Sequence, residues 1–310
     1  MSKPILVGYE PSTLDLAPVR FGAEAARFTG APLVVVCVTR GPGGPGSGVA
    51  DEDLDADGAG ALTGLRAALE AQGIAVECRE IHASSVPRAL HEAAVEADAG
   101  LLVVGSKDGS PIGRVLAGSA VQRLMHGAPC PIAVVPRGWE TRGGLRVIGV
   151  AYVDTEEGEE ALRGAHALAA RAGAALRVLT VVRPSLAMYA ETEASRDIHP
   201  AKSIEEVEGE HRVAAECALR EVVDALGSDV PVEVEAFVDD DPADVLIRVS
   251  EHLDLVVCGS RGYGPVRAVL LGGVSGRVAT GAHCPVIVLP RGVRASLQAL
   301  MEEAGAPVPG

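Results

Sequence analysis

The sequence contains few aromatic residues and fewer basic residues than acidic ones. Aromatic residues make up 3% of the 310-residue chain, and 27 Lys and Arg stand against 42 Asp and Glu, which gives a formal net charge of −15. An acidic protein is repelled by nucleic-acid phosphates and by anionic membrane surfaces. The composition therefore argues against both as main partners, although backbone N–H groups can still bind a small anion locally.

Several motifs with known chemistry are absent as well. The six cysteines form no C-x-x-C pair and the eight histidines show no metal-ligand spacing, so the sequence predicts no metal site. No lysine follows a glycine, as a P-loop requires, and neither G-x-S-x-G nor H-E-x-x-H occurs. The GPGGPG run at 41–46 matches the dinucleotide-binding fingerprint only formally, because it is not expected to open a helix.

Long apolar runs are also missing. No run approaches the ~20 residues that a membrane-spanning helix needs. The first predicted strand begins within a few residues of Met1, which leaves no room for a signal peptide. We therefore expect a cytoplasmic protein with no membrane partner.

What the sequence does contain is a repeat. The segment Leu101–Gly138 is similar, without gaps, to the segment Leu255–Gly292, and a constant offset of 154 residues relates the two, as for Gly105 and Gly259. Many matches over one gapless stretch are unexpected by chance. The chain is therefore two copies of one domain, and any site has to be sought twice.

The length agrees with this duplication, since about 150 residues make one domain. We expect a first domain over 1–138, a second over 145–292 and a C-terminal tail over 293–310. The sequence is equally compatible with a monomer and with a homodimer of this chain.

The fold class follows from the order of apolar segments. Each copy alternates five apolar strands with helical segments, and strands such as Leu33–Val38 and Leu176–Val182 are predominantly apolar without strict alternation, which indicates burial on both faces. The sequence therefore predicts an α/β protein with two tandem doubly wound domains, each a five-stranded parallel sheet with helices on both faces. Gly30 and Gly173 are expected helix C-caps. The stretch 41–60, which contains an acidic run, is predicted to be a solvated, mobile loop.

Ligands of such sheets bind beyond the carboxyl ends of the strands. Glycines gather there after the fourth strand of the second copy, and a helix is predicted to start near them. Backbone N–H groups in a glycine-rich turn, together with the positive end of a helix dipole, favour a phosphate. The candidate residues are Gly259, Ser260, Arg261, Gly262, Gly272, Gly273 and Ser275.

The spacing of these residues resembles a known family. Gly, two residues, Gly, nine residues, Gly and then Ser or Thr, followed by a Cys-Pro and a closing apolar strand, is similar to the phosphate-binding pattern of universal stress proteins. The resemblance covers nearly the whole chain. It implies a five-stranded parallel sheet in each domain, a pseudo-dimer of the two domains about an axis through the fifth strands, and ATP or another adenine nucleotide as ligand.

Carried over residue by residue, the pattern is incomplete in both copies. In the second, Gly259, Gly262 and Gly272 match, while Gly273 replaces the expected Ser or Thr and Ser275 stands two positions later.

In the first copy, Gly105, Gly118 and Ser119 match, but Asp108 replaces the second glycine. A carboxylate there would face phosphate oxygens, and like charges repel. The resemblance also implies an Asp closing the first strand. We place Glu10 at that position in the first copy, and Ala151 in the second, with Asp154 nearby but out of register.

These residues predict a nucleotide-binding stress-response protein whose second domain binds ATP or a related adenine nucleotide, with or without Mg²⁺, and whose first-domain site is degenerate. No general base or catalytic residue is identified, so at most slow ATP hydrolysis is expected. The alternative is a structural or interaction module that has lost nucleotide binding and acts through protein partners.

Overall fold

Strands and helices alternate along the chain. The computed structural model describes residues 2–39, 52–106, 120–125, 127–141, 143–185, 188, 203–227, 230–260, 273–290 and 297, with backbone alone for 52–57 and 120. The strands are β1 (Ile5–Tyr9), β2 (Leu33–Thr39), β3 (Val76–His82), β4 (Leu101–Gly105), β5 (Ile132–Val135), β6 (Val147–Ala151), β7 (Ala175–Val182), β8 (Val232–Val238), β9 (Leu255–Gly259) and β10 (Val286–Leu289). The helices are α1 (Ala17–Thr29), α2 (Glu52–Glu70), α3 (Val86–Glu96), α4 (Ala120–Met125), α5 (Glu156–Ala172), α6 (Ile204–Asp224), α7 (Pro242–Val249) and α8 (Val274–Gly281).

The strands of each half form a doubly wound parallel sheet, as the sequence predicts. The strand order is β3-β2-β1-β4-β5 in the first half and β8-β7-β6-β9-β10 in the second, and every pair within a half is parallel. The two halves meet where β5 pairs with β10 in the antiparallel direction. The expected pair of five-stranded sheets is therefore one continuous ten-stranded sheet.

The seam between the halves has pseudo-two-fold symmetry. Ala133 of β5 lies opposite Ile287 of β10. These two residues are equivalents in the repeat, because they are also 154 positions apart. A residue that faces its own equivalent lies on a two-fold axis, so the axis passes through the fifth strands as the resemblance implies.

The sheet is buried on both faces. Ile5 and Val7 of β1 point to one hydrophobic cluster, whereas Leu6 points to the other, and all three are fully buried. Helices α1, α2, α5 and α6 cover the first face, and α3, α4, α7 and α8 cover the second. Both clusters contain residues of both halves. Within the described parts of the chain, no helix has the length and apolar character to cross a membrane.

The expected helix ends are confirmed at two glycines. Gly30 ends α1 with φ of 70°, and Gly173 ends α5 with φ of 63°. Both lie in the left-handed region that glycine adopts without a steric penalty. Gly30 and Gly173 thus occupy equivalent positions of the two domains. The repeat therefore includes the first half of each domain, where equivalent residues are 143 positions apart instead of 154.

The prediction of a loop over 41–60 is wrong for its second part. Residues from Glu52 onward belong to α2, which continues to Glu70. Carboxylates near the N-terminus of a helix stabilise it through the helix dipole, so an acidic run is compatible with this position. Residues 41–51 lie outside the described part of the chain.

Candidate functional site

The candidate site of the second domain lies at the carboxyl ends of β6 and β9. Strand β9 ends at Gly259, and the N–H of Ser260 donates to the carbonyl of Leu289 at 2.8 Å. The structure therefore places Gly259 and Ser260 at the predicted edge of the sheet. Three predicted site residues, Arg261, Gly262 and Gly272, lie outside the described residues.

Helix α8 starts beside this strand end. The hydroxyl of Ser275, in the first turn of α8, donates to the carbonyl oxygen of Ser260 at 3.3 Å. This contact joins the N-terminus of the helix to the end of β9. The structure thus brings together two of the segments that the sequence proposed as one phosphate cradle.

Gly273 caps α8 and leaves open space in front of the helix. No side chain caps this end, and the N–H of Arg277 is the one that donates to the Gly273 carbonyl, at 3.1 Å. The preceding N–H groups therefore have no acceptor within the helix. A Cβ built on Gly273 would meet no heavy atom of the described residues within 4 Å, and its φ of −57° suits any residue. As far as the described residues go, these N–H groups at the helix N-terminus are available to an anion.

Gly259 has a different reason to be glycine. A Cβ there would lie 2.9 Å from the carbonyl oxygen of Glu157 and 3.0 Å from its Cβ, so the first turn of α5 rests directly on the end of β9. In the first domain, a Cβ on Gly105 would lie 3.1 Å from Cγ of Pro18 in α1. Helix–strand contact alone therefore favours glycine at both positions.

The position of the first-strand acid requires a correction. Ile5 pairs with Leu101, and Ile148 pairs with Leu255, which makes Ile5 and Ile148 equivalent because the two leucines are equivalents in the repeat.

Counting from that pair, Glu10 corresponds to Val153, and Ala151 corresponds to Gly8. The prediction that Ala151 replaces the acid is wrong by two residues. The conclusion that the second copy lacks an acid there still holds, because Val153 is apolar and the exposed Asp154 follows it. Glu10 itself accepts a hydrogen bond from the Ser12 hydroxyl at 3.3 Å.

An ion pair joins the arginine of α8 to a neighbouring helix. Nη1 of Arg277 lies 2.7 Å from Oδ1 of Asp241, the residue that caps α7 through the N–H groups of Ala243 and Asp244. The hydrogen bond from Arg277 holds the pKa of Asp241 below its usual value. Arg277 therefore links α7 to α8, in keeping with the structural role that its place on a helix suggests.

The corresponding edge of the first domain is negatively charged. Glu80 accepts a hydrogen bond from the Thr39 hydroxyl at 3.2 Å, at the ends of β2 and β3. Burial, together with the charges of Glu80 and Glu10, raises the pKa of the Cys37 thiol to about 11. The remaining first-copy residues Asp108, Gly118 and Ser119 lie outside the described residues.

A protein-bound metal ion needs several ligating side chains in one place. Among the described residues, no three His, Cys, Asp or Glu side chains come close enough to hold an ion together. Mg²⁺ bound with a nucleotide takes much of its coordination from phosphates and water. A protein cage is therefore not required for the Mg²⁺ that accompanies ATP.

Comparisons with known proteins match both halves of the chain. The model of the universal stress protein family matches residues 1–136 and 144–290. A universal stress protein of Mycolicibacterium smegmatis is 29% identical over 299 residues, which are 92% of this chain and 96% of that protein. One of Mycobacterium tuberculosis is 26% identical over 300 residues, 92% of this chain and 99% of that protein. These relatives match over almost their full length, and so contain both repeats.

A solved structure confirms the fold independently of close sequence similarity. The crystal structure of a universal stress protein from Archaeoglobus fulgidus superimposes with a TM-score of 0.65 over 94% of this chain and 97% of its own. The sequences are 18% identical. At that identity the similarity shows the architecture, and the ligand has to be inferred from the residues of this chain.

Proposed function

Since the chain belongs to the universal stress protein family, we propose that it is a stress-response protein whose second domain binds ATP or a related adenine nucleotide. The observation that carries this proposal is the open, uncapped N-terminus of α8 at Gly273. The contact between Ser275 and Ser260 holds that helix end against the end of β9. A ligand there would lie at the carboxyl edge of the sheet.

The proposed chemistry is anion binding by backbone groups. The first N–H groups of α8 donate to phosphate oxygens, and the helix dipole adds a positive potential at the same place. Gly262 and Gly272 allow the backbone to approach the phosphates closely, and Arg261 offers a cation that can pair with them. The hydroxyl of Ser275 already donates its one proton to the Ser260 carbonyl, so it positions the helix and leaves phosphate binding to the backbone N–H groups.

Binding, rather than turnover, is the activity proposed. No described residue near Gly273 is placed as a general base, so ATP hydrolysis, if it occurs, is expected to be slow. A bound nucleotide would act by favouring one conformational or assembly state over another, to the extent that it binds the two with different affinity.

The second domain is favoured over the first for electrostatic reasons. Asp108 takes the place that glycine holds in the second copy, so a carboxylate would face the phosphates in the first copy alone. Two unit charges about 4 Å apart repel by ~1 kcal/mol in water and ~4 kcal/mol near a protein surface. A nucleotide with several negative charges is accordingly expected in one domain only.

One observation favours a second candidate function, that of an interaction module without nucleotide. Contacts with Glu157 and Pro18 already favour glycine at positions 259 and 105. Two glycines of the motif could therefore persist for the sake of the fold after ligand binding is lost. In that case the protein acts through its surface and its protein partners.

Matched substitutions at equivalent positions of the two copies distinguish these functions. Calorimetric titration of the wild-type chain with ATP and Mg²⁺ should show one site, and Gly262→Asp should abolish it. The reciprocal variant Asp108→Gly removes the obstructing carboxylate from the first copy and should leave the second-domain site intact. Equal ATP affinity in the wild type and Gly262→Asp would disprove the proposed cradle, and no binding in any variant would favour the interaction module.

A further inference from the structure

A cleft of about 1060 Å³ lies between the two domains on the face that α1 and α5 cover. Its walls come from both halves of the chain and from the segment that links them. Phe21 and Phe28 of α1 and Trp139 of the linker line it, although the whole chain has only three Phe and one Trp. The rings of Phe21 and Trp139 meet edge to face, with centroids 5.6 Å apart. The cleft therefore gathers three of the four Phe and Trp side chains of the protein.

One residue of the C-terminal tail already occupies this cleft. Leu297 lies seven residues beyond Pro290, is 2% exposed and lines the cleft. A Cβ built on Gly164 of α5 would lie 3.1 Å from Cβ of Leu297. Glycine in a helix interior is less favourable than alanine by ~1 kcal/mol. Gly164 thus makes room for Leu297 against the surface of α5.

The sequence around Leu297 has the pattern of an amphipathic helix. The large apolar residues recur at the first, fifth, eighth and ninth positions of 293–304, which places them on one helical face. They are Val293, Leu297, Leu300 and Met301, and polar residues such as Arg294, Gln298 and Glu302 fall on the other side together with the small Ala295 and Ala299. Leu297 is thus a central member of an apolar stripe.

We propose that residues 293–304 dock as an amphipathic helix in the cleft between α1 and α5, with Leu297 seated on Gly164. The mode is that of a helix in a hydrophobic groove, with anchors at helical spacing. The segment begins four residues after β10 ends at Leu289, so its local concentration at the cleft is high. This proximity favours the chain's own tail over a second copy or a free ligand.

The docked segment would act as a clamp between the domains. A direct contact between them already lies at this place: the guanidinium of Arg171 in α5 donates to the carbonyl of Phe28 at 3.1 Å and lies 5.4 Å from the centre of its ring. Apolar anchors along the cleft would add contacts to both walls. The inference is independent of nucleotide binding, since the cleft is lined by the N-terminal residues Ile5 and Leu255 of β1 and β9.

A crosslink tests the anchor. Gly164→Cys with Leu297→Cys, made in a Cys217→Ser background because Cys217 is exposed, places two Cβ atoms near the ~3.8 Å of a disulfide. We expect an intramolecular disulfide under mild oxidation, detected by intact mass and peptide mapping. The control pair Ala170→Cys and Leu297→Cys, with Ala170 on an exposed face of α5, should not crosslink. A disulfide-linked dimer, or equal crosslinking in both pairs, would overturn the proposal.

Substitutions on the two faces of the segment test the rest of it. Leu300→Asp and Met301→Asp should release the segment, with a red shift of Trp139 emission, new binding of an anilinonaphthalene sulfonate dye and loss of hydrogen-exchange protection in the α5 peptide that contains Gly164. Gln298→Asp, on the polar face, should change none of these. Identical behaviour of all three variants and the wild type would contradict a docked helix. Purification with a stoichiometric small molecule in the cleft would do so as well.

Discussion

Replacing Gly273 with Asp distinguishes the stability of α8 from its capacity to bind a phosphate. Asp is among the best N-cap residues, and the open space before α8 accommodates its side chain without a clash with described atoms. The carboxylate can accept the same N–H groups of α8 that we assign to phosphate. The substitution should therefore preserve the helix and lower the affinity for the nucleotide.

The substitution is expected to raise the free energy of unfolding slightly and to lower the ATP affinity strongly. For the fold, exchanging a Gly cap for an Asp cap changes the free energy of unfolding by a few tenths of a kcal/mol in the stabilising direction. For the ligand, repulsion between the new carboxylate and one phosphate charge about 4 Å away amounts to ~1 kcal/mol in water and ~4 kcal/mol near the protein surface. Because the N–H donors are also taken, we expect ATP affinity to fall at least about tenfold and up to about a thousandfold.

Calorimetric titration with ATP and a thermal melt without ligand measure the two effects separately. Gly273→Asn is the matched control, since Asn caps a helix about as well as Asp and has no charge. We expect the affinity order wild type, then Asn, then Asp, with melting temperatures equal to or above that of the wild type. Unchanged ATP affinity in Gly273→Asp, in a protein that melts normally, would refute phosphate binding at the N-terminus of α8.

Two further predictions concern stability. Gly158→Ala should destabilise the second domain by about 1–3 kcal/mol in chemical denaturation, because its Cβ would collide with the Val153 carbonyl, whereas Gly64→Ala on the exposed side of α2 should stabilise by up to ~1 kcal/mol. Asp241→Asn should lower the melting temperature at neutral pH, because the ionised carboxylate pairs with Arg277 and has a lowered pKa in the folded state. A lowered pKa stabilises the fold above the unfolded value near 4, so this difference should shrink as the pH falls below about 4.

Each of these two stability predictions has an experimental outcome that would contradict it. Equal stability changes in Gly158→Ala and Gly64→Ala would show that helix propensity, and not the contact with Val153, governs position 158. A difference between Asp241→Asn and the wild type that persists unchanged at about pH 2 would show that the loss does not come from the ionised pair.

Local signals in the sequence predicted much of the fold. The apolar strands, the C-caps at Gly30 and Gly173 and the repeat each depend on neighbouring residues or on similarity between the copies, and the structure confirms them. The acidic start of α2 was missed because glycines at 58 and 60 weaken its helical pattern. Contact with the sheet, through residues such as Leu62 and Leu65, stabilises this helix despite them.

The site was predictable only in part, for a physical reason. The motif indicates which glycines lie at the strand end, but not why each one is glycine. Gly259 is packed against Glu157, whereas Gly273 faces open space, and that distinction depends on contacts between residues about a hundred positions apart. The error that matched Glu10 with Ala151 instead of Val153 has the same origin, since strand pairing, and not residue count from the domain start, fixes equivalence.

The cleft could not be foreseen at all from the sequence. It is built from residues of α1, the linker, α5 and the tail, which come together only when β5 pairs with β10. The tail was expected to follow the second domain, and nothing in its sequence indicates that Leu297 reaches Gly164. Such contacts depend on the relative placement of the domains.

The measurement that tests nucleotide binding most directly is identification of the ligand that the purified wild-type chain releases on denaturation, by mass spectrometry, together with a calorimetric ATP titration with and without Mg²⁺. We predict an adenine nucleotide in the released fraction, or one ATP site per chain in the nucleotide-free protein. No released nucleotide, no heat of binding and an unchanged melting temperature in millimolar ATP would contradict the account and would favour the interaction module.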